Sequence, residues 1–118
     1  KKLFAPVNEA LDHLDVVTTH LMHDIEKNPK RGLAQANLYL DMFGRVTMAW
    51  IWLRQGLAAC RALDDAKQVL NKSEQDFYRG KLQAAQFYIE SDLAQVVHQA
   101  DILKANNQLY FSMQDSFF

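Results

Sequence analysis

The chain has 118 residues, a length that favours one domain of about 100–200 residues. It is 49% hydrophobic and 23% charged, which is the composition of an ordinary globular domain. The formal net charge of −1 and the lack of a Lys/Arg cluster argue against a nucleic-acid-binding protein.

Four further features of the sequence concern cellular location and chain boundaries. The single cysteine, Cys60, allows no intrachain disulfide, as is typical of a reducing cytoplasm. The first residues do not read as a signal peptide. The longest nearly apolar run, 46–53, is far shorter than the roughly 20 residues that a membrane span needs. We therefore expect a cytoplasmic protein without a membrane span. Because it starts with Lys1 rather than methionine, we expect residues 1–118 to be one helical domain of a longer polypeptide.

The first predicted helix covers about residues 6–27. Val7, Leu14 and Leu21 recur at heptad spacing, and the acidic side chains lie off this stripe. Pro6 suits a first helical turn, where its missing N–H is no loss. The residue before Pro29 avoids the α conformation, so the first helix should end there.

The second predicted helix starts at Asn28 and Pro29 and continues to at least Leu63. Two apolar stripes run along it, which indicates burial nearly all round. The first stripe consists of Tyr39, Phe43, Val46, Trp50, Leu53, Leu57 and Cys60. The second stripe consists of Leu38, Met42, Ala49, Trp52, Ala59 and Leu63. Gly44 and Gly56 each weaken an isolated helix by roughly 1 kcal/mol, so we expect a neighbouring helix to approach closely at both.

Residues 64–72 are polar and predict a turn. Ser73 and Asp76 resemble a capping box at the start of a third helix. Apolar residues then recur at helical spacing, and the third helix is predicted to run unbroken to about Lys104. Residues 109–118 form an aromatic-ended tail with a short fourth helical element. The sequence therefore predicts an all-α fold, an antiparallel up-down bundle of three long helices plus a short C-terminal helical element.

Candidates for chemistry are few. His20, His23 and Asp24 share one face of the first helix and could contact one metal ion, but they do not complete a ligand set. Cys60 lies on an apolar stripe, where cysteines are usually buried and inert, and nothing places His98 near it as a base. We predict no catalytic residue, no metal site and no cofactor site within this chain.

Polar side chains of the second and third helices have structural explanations. Asp41 and Arg45 are four residues apart and predict a surface ion pair. Tyr39 and Tyr88 predict core tyrosines with hydrogen-bonded hydroxyl groups.

Trp50 and Trp52 are the most unusual local feature. On a helix of 3.6 residues per turn, their indoles point about 200° apart. Two interpretations stay open. Either both indoles belong to the core, or Trp52 and Met48 mark a surface that docks onto another domain. Three helices have difficulty covering both stripes of the second helix, so one stripe favours a cover from outside this chain.

Two blocks of residues carry a family resemblance. The first contains Tyr39-Leu40, Phe43-Gly44, Trp50-x-Trp52 and Ala58-Ala59. The second contains Phe77 and Lys81-Leu82-x-Ala84-Ala85-x-Phe87-Tyr88. Together they resemble the extra C-terminal helical domain of the long bacterial acyl-CoA dehydrogenases, including the methylmercaptopropionyl-CoA dehydrogenase type. Relatives often have a proline after the leucine that follows Phe-Tyr. Here Ala94 follows Leu93, so we expect the third helix to continue where relatives break.

The resemblance implies a parent enzyme that oxidises the Cα–Cβ bond of an acyl-CoA thioester. In such enzymes FAD accepts the hydride, a glutamate is the base, and electrons pass to an electron-transfer flavoprotein. The flavin site and the glutamate belong to upstream domains, so no catalytic residue carries over to this chain.

The implied role is that of a non-catalytic C-terminal accessory domain. It would pack on the catalytic domains or on a neighbouring subunit, through the side of Met48 and Trp52 or through the aromatic tail. An isolated domain with an uncovered docking surface could also form a homodimer. The alternatives are a free-standing helical protein-interaction module and, less favoured, a metal-binding helical bundle that uses His20, His23 and Asp24.

Overall fold

The computed structural model describes residues 3–33, 35–65, 69–105 and 114–118. These residues form five α-helices and one 3₁₀ turn, with no β-strand among them, which confirms the all-α prediction. The elements are α1 (Phe4–Lys27), α2 (Pro29–Leu33), α3 (Ala36–Asp64), α4 (Lys72–Ser91), α5 (Gln95–Ala105) and a 3₁₀ turn at Asp115–Phe117.

The helices pack into an elongated body of 68 × 29 × 17 Å. Its radius of gyration is 19.5 Å, whereas a compact domain of 100 residues has about 13 Å. The elongation arises because α3 is longer than either neighbour. α1 and α5 pack on its first half, and α4 packs antiparallel on its second half.

The core lies where α1, α3, α5 and the end of α4 meet. It contains Val7, Ala10, Val17, Met42, Val46, Ala49, Ile89, Leu93, Val96, Ala100 and Leu103. Full burial of a side chain such as valine, leucine or methionine stabilises a fold by about 1.5–3 kcal/mol. This cluster therefore holds α1, α3, α5 and the end of α4 together.

Small residues let α3 and α4 approach each other farther along. Gly56 is buried, and a Cβ placed on it would lie 3.5 Å from Ala85 Cβ. The predicted close approach is confirmed at Gly56. It is wrong at Gly44, where an added Cβ would meet nothing within 4 Å, because that position is on the exposed side of α3.

Two helix starts differ from the sequence predictions. The second predicted helix does not run straight from Pro29, because α2 ends at Leu33 and α3 begins at Ala36. The capping box of α4 lies two residues earlier than Ser73. Asn71 is the N-cap, and its Oδ1 accepts a hydrogen bond from the Glu74 backbone N–H at 2.8 Å. Its Nδ2 donates to Glu74 Oε1 at 3.0 Å, so the side-chain pair is reciprocal.

The prediction of an unbroken third helix is wrong, because residues 92–94 form a bend between α4 and α5. Tyr88 O accepts hydrogen bonds from the N–H groups of both Asp92 and Leu93, at 2.9 and 3.1 Å. The second of these bonds spans five residues and widens the helix locally. Leu93 is buried in the core. The bend turns α5 onto α1 while α4 stays on α3, although Ala94 and not a proline stands there.

Candidate docking surfaces

α3 is covered on one face only. Its buried residues are Met42, Val46, Ala49, Gly56 and Ala59. The large apolar residues that stay exposed on it are Leu40, Phe43, Met48, Trp50, Ile51 and Leu57. Burial nearly all round is therefore wrong for the described chain, because α1, α4 and α5 all pack on neighbouring sides of α3. The first apolar stripe is the less covered of the two. A cover from outside this chain stays a prediction.

The predicted docking residues lie on the side of α3 that borders α4. Met48 is exposed, whereas Trp52 is half-buried. Lys81 Nζ lies 5.8 Å from the centre of the Trp52 ring and 5.5 Å from that of Phe77. This geometry is a cation–π contact within the domain. Docking through Met48 and Trp52 stays a prediction.

Trp50 is the more exposed indole, with 46% of its surface accessible. The guanidinium carbon of Arg54 lies 5.0 Å from the centre of its ring. Trp50 points away from α4, towards the groove that α3 forms with α1. The two indoles thus lie on different sides of α3, as the helical period indicates.

A groove runs between α1 and α3, and we call it the α1/α3 groove. A cavity of about 350 Å³ at one end is lined by Leu11, Leu14, Phe43, Val46, Thr47 and Trp50. A second cavity of about 110 Å³ at the other end is lined by Thr18, Leu21, Met22, Ile25, Leu33, Ala36 and Tyr39. Sequence reasoning missed this groove because it depends on which face of α1 lies beside α3. The exposed members of the first stripe of α3 were its only signal.

Both predicted tyrosines are half-buried with hydrogen-bonded hydroxyl groups, which confirms that prediction. Tyr39 Oη lies 2.7 Å from Thr18 Oγ1 and joins α3 to α1 across the groove. Tyr88 Oη donates to the carbonyl oxygen of Arg45 at 3.3 Å. Burial is the main cause that raises the pKa of Tyr88 above its ordinary value.

A polar network joins α3 to α5 and to the bend. Asp41 Oδ2 accepts hydrogen bonds from Gln99 Nε2 at 2.6 Å and from Arg45 Nε at 3.0 Å. Arg45 Nη1 also lies 3.8 Å from Asp92 Oδ2 at the bend. The Gln99 hydrogen bond, followed by the Arg45 hydrogen bond, lowers the pKa of the Asp41 carboxyl. The predicted Asp41–Arg45 ion pair is confirmed.

The candidate metal residues come together only in part. His20 Nε2 lies 3.7 Å from Asp24 Oδ2, and His23 is exposed. Within the described ranges, no three His, Cys, Asp or Glu side chains form a group that could hold a metal ion.

Cys60 is exposed, so its predicted burial is wrong. Cys60 lies ten residues beyond Trp50, or about 15 Å farther along α3. Leu11 of α1 lies beside Trp50. Because α1 begins at Phe4, only seven residues before Leu11, it ends too early to cover Cys60. Cys60 Sγ lies 4.0 Å from Asp64 Oδ2, and His98 is exposed on α5.

The aromatic tail is described only at its end. Residues 109–113 of the predicted tail lie outside the described residues. The remainder forms the 3₁₀ turn, and both Phe117 and Phe118 are exposed. A docking role for this tail also stays a prediction.

Comparison with known families decides what kind of domain this is. The family model described as "Acetyl-CoA dehydrogenase C-terminal like" matches residues 1–114. The chain belongs to this family. No curated protein and no solved structure matches the chain.

The match covers all five α-helices, so the acetyl-CoA dehydrogenase C-terminal-like domain includes both the α1/α3 groove and the side of Met48 and Trp52. It confirms the resemblance to the C-terminal helical domain of acyl-CoA dehydrogenases. None of the described helices of this acetyl-CoA dehydrogenase C-terminal-like domain has both the length and the apolar composition required to cross a membrane.

Proposed function

We propose that this chain is the non-catalytic accessory domain of an FAD-dependent acyl-CoA dehydrogenase. It packs on the catalytic domains or on a neighbouring subunit of that enzyme. The family match over residues 1–114 is the observation that carries the proposal. The parent reaction is dehydrogenation of the Cα–Cβ bond of an acyl-CoA thioester in the cytoplasm. An electron-transfer flavoprotein accepts the electrons, and the parent is of the methylmercaptopropionyl-CoA dehydrogenase type.

The cavities that the described residues form do not fit FAD. A dinucleotide needs hydrogen-bond donors around its pyrophosphate, such as the N–H groups of a helix N-terminus. The α1/α3 groove is lined instead by leucine, phenylalanine, valine and tryptophan side chains. A further cavity of about 250 Å³ beside α1 and α5 is lined by apolar side chains together with Glu9, His13 and Glu90. Its two carboxylates repel a pyrophosphate. We therefore assign the flavin and the catalytic base to other domains of the parent enzyme.

A mechanical role suits the exposed apolar side chains. Large contiguous apolar patches on a domain mark surfaces that contact another protein. Packing such a surface on the catalytic domains stabilises the assembly by about 25 cal/mol for each Å² of apolar surface buried. The elongated shape presents a long surface to the enzyme and can thereby influence access to the acyl-CoA cleft.

The reading frame upstream of Lys1 tests the parentage. A frame that continues into a flavin-binding acyl-CoA dehydrogenase core supports the proposal. A start codon directly before Lys1 contradicts it and favours the second candidate, a free-standing helical interaction module. That candidate, which belongs to a different functional class, is favoured by the same exposed apolar side chains, because they need a partner in either case.

The docking role is tested in the full-length parent with Trp52→Ala and with Met48→Glu. Met48 is exposed, so its substitution leaves the fold of the domain intact. We expect a lower thermal midpoint or a changed oligomeric state, with Gln83→Glu on the outer side of α4 as the charge-matched control. If both variants match the wild-type enzyme in stability, oligomeric state and activity, docking through this side is excluded.

A further inference from the structure

The floor of the α1/α3 groove is apolar and accessible at its larger cavity, and the Thr18–Tyr39 hydroxyl pair crosses it farther along. Leu11 is 42% exposed on α1, and Phe43 and Trp50 are 48% and 46% exposed on α3. These three side chains surround the larger of the two cavities. They are large, close together and uncovered by any described residue, so burying them is the main energetic reason for a partner to bind there.

The groove has the length and shape of a helix-binding site. From Leu11 to Ile25 it extends along α1 for about 21 Å, by the rise of 1.5 Å per residue. That distance corresponds to about four turns of a partner helix. Two antiparallel helices form a continuous furrow between them, and an amphipathic helix can lay its apolar face into such a furrow.

The α1 edge of the groove carries only acidic charge. Asp15 lies four residues after Leu11, and Glu26 lies four residues after Met22, so each acid is a surface neighbour of a groove residue. Asp12 is the third acid on this side, and all three are exposed. α1 contains no Lys or Arg before Lys27, its last residue.

The opposite edge, on α3, is different. Thr47 there is exposed and uncharged, and Arg54 stacks over Trp50 at the far end. The charge of the groove is therefore one-sided from Leu11 to Glu26, beyond which α1 and α2 carry the basic residues Lys27 and Lys30. A partner that is apolar along its centre and basic along the flank facing α1 complements this pattern, and complementary charges favour correct orientation and fast association.

We propose that the α1/α3 groove receives an amphipathic helix with a Lys/Arg-rich flank. The proposal rests on the proposed function only for the source of that helix, which is the catalytic part of the parent enzyme. A second copy of this chain fits the groove less well. It would oppose the acids of α1 with its own acidic α1, or with the uncharged Phe43 and Thr47 of its α3.

A peptide titration tests the chemistry of the groove. The probe is a synthetic helical peptide of about four turns with a leucine face and a lysine flank. The comparison peptide has the same leucine face and a glutamate flank. Calorimetry on the full chain should show that the lysine peptide binds at least about tenfold more tightly than the glutamate peptide. Equal affinities for the two peptides would overturn the proposal.

Matched variants separate groove binding from general attraction to an acidic protein. Leu11→Glu adds negative charge but removes apolar surface from the groove. If the peptide binds in the groove, this variant should lose its affinity for the lysine peptide. Phe87→Glu adds the same charge on the exposed side of α4 and should leave its affinity unchanged. Stronger binding by both variants would show nonspecific attraction and would overturn the proposal. If Leu11→Glu fails to fold, Thr47→Glu at the edge of the groove replaces it. Thr47→Glu should change the affinity for the lysine peptide, whereas Phe87→Glu should not.

One other occupant of the groove, a second copy of this chain, is distinguished by the same variants. Self-association of the chain that Leu11→Glu abolishes would assign the groove to a second copy and overturn the proposal. Failure of peptide binding, with an acyl-CoA dehydrogenase core encoded upstream, would refute the groove chemistry and leave the accessory-domain function intact. Peptide binding without such a core would support the groove chemistry and refute its source in a parent enzyme.

Discussion

A single methyl group at Gly56 tests the packing of α4 on α3. A Cβ there lies 3.5 Å from Ala85 Cβ and 3.9 Å from Leu82 Cδ2, both ordinary van der Waals distances. The methyl group therefore fits without moving α4. Alanine is favoured over glycine inside a helix by about 1 kcal/mol, and the new contacts add a few tenths. We expect Gly56→Ala to raise the free energy of unfolding by about 1–1.5 kcal/mol, and the thermal midpoint by about 4 °C.

Two variants serve as controls for Gly56→Ala, with urea unfolding followed by circular dichroism as the assay. Gly44→Ala adds a methyl group where nothing lies within 4 Å, so only the helix-propensity gain of about 1 kcal/mol is expected. Gly56→Leu must displace Ala85 or Leu82, and we expect a loss of about 1–3 kcal/mol. If Gly56→Ala destabilises the chain while Gly44→Ala stabilises it, the helices are closer than described and the reasoning is refuted.

The bend and the polar network give two further predictions. Gln83→Pro in the middle of α4 should lower the free energy of unfolding by roughly 3 kcal/mol. Ala94→Pro should lower it by much less, because the backbone N–H groups that are hydrogen-bonded at the bend belong to neighbouring residues. Thermal unfolding compares the two, and equal losses would contradict the bend. The lowered pKa of Asp41 means that its ionised form stabilises the fold above its ordinary value of 3.8, and that this contribution disappears as the pH falls through the lower folded-state pKa. Asp41→Asn should therefore lower the thermal midpoint at neutral pH by an amount that shrinks below that range.

Local signals in the sequence were enough to predict where α1 lies and where the turn before α4 lies. The amphipathic pattern and Pro29 predicted α1 as residues 6–27, and the structure gives Phe4–Lys27. The polar segment after Asp64 predicted the turn before α4. These features depend on periodicity and on backbone chemistry within a few residues, so they can be read without knowing any neighbour.

Local interruptions were less visible. Neither the gap between α2 and α3 nor the bend at residues 92–94 has a proline at its position. At the bend, the burial of Leu93 and the contact of α5 with α1 decide the geometry, and both are long-range effects. The N-cap at Asn71 was missed for a simpler reason, because Ser73 offers a similar pattern two residues later.

The sequence by itself determined that α3 has two apolar stripes and that the chain resembles an acyl-CoA dehydrogenase C-terminal domain. Only the tertiary structure decided which stripe is covered. Periodicity states which residues share a helix face, but coverage depends on how far each neighbouring helix extends along α3. Because α1 and α4 occupy different stretches and different sides of α3, Trp52 packs beside Lys81 while Trp50 stays open above the α1/α3 groove.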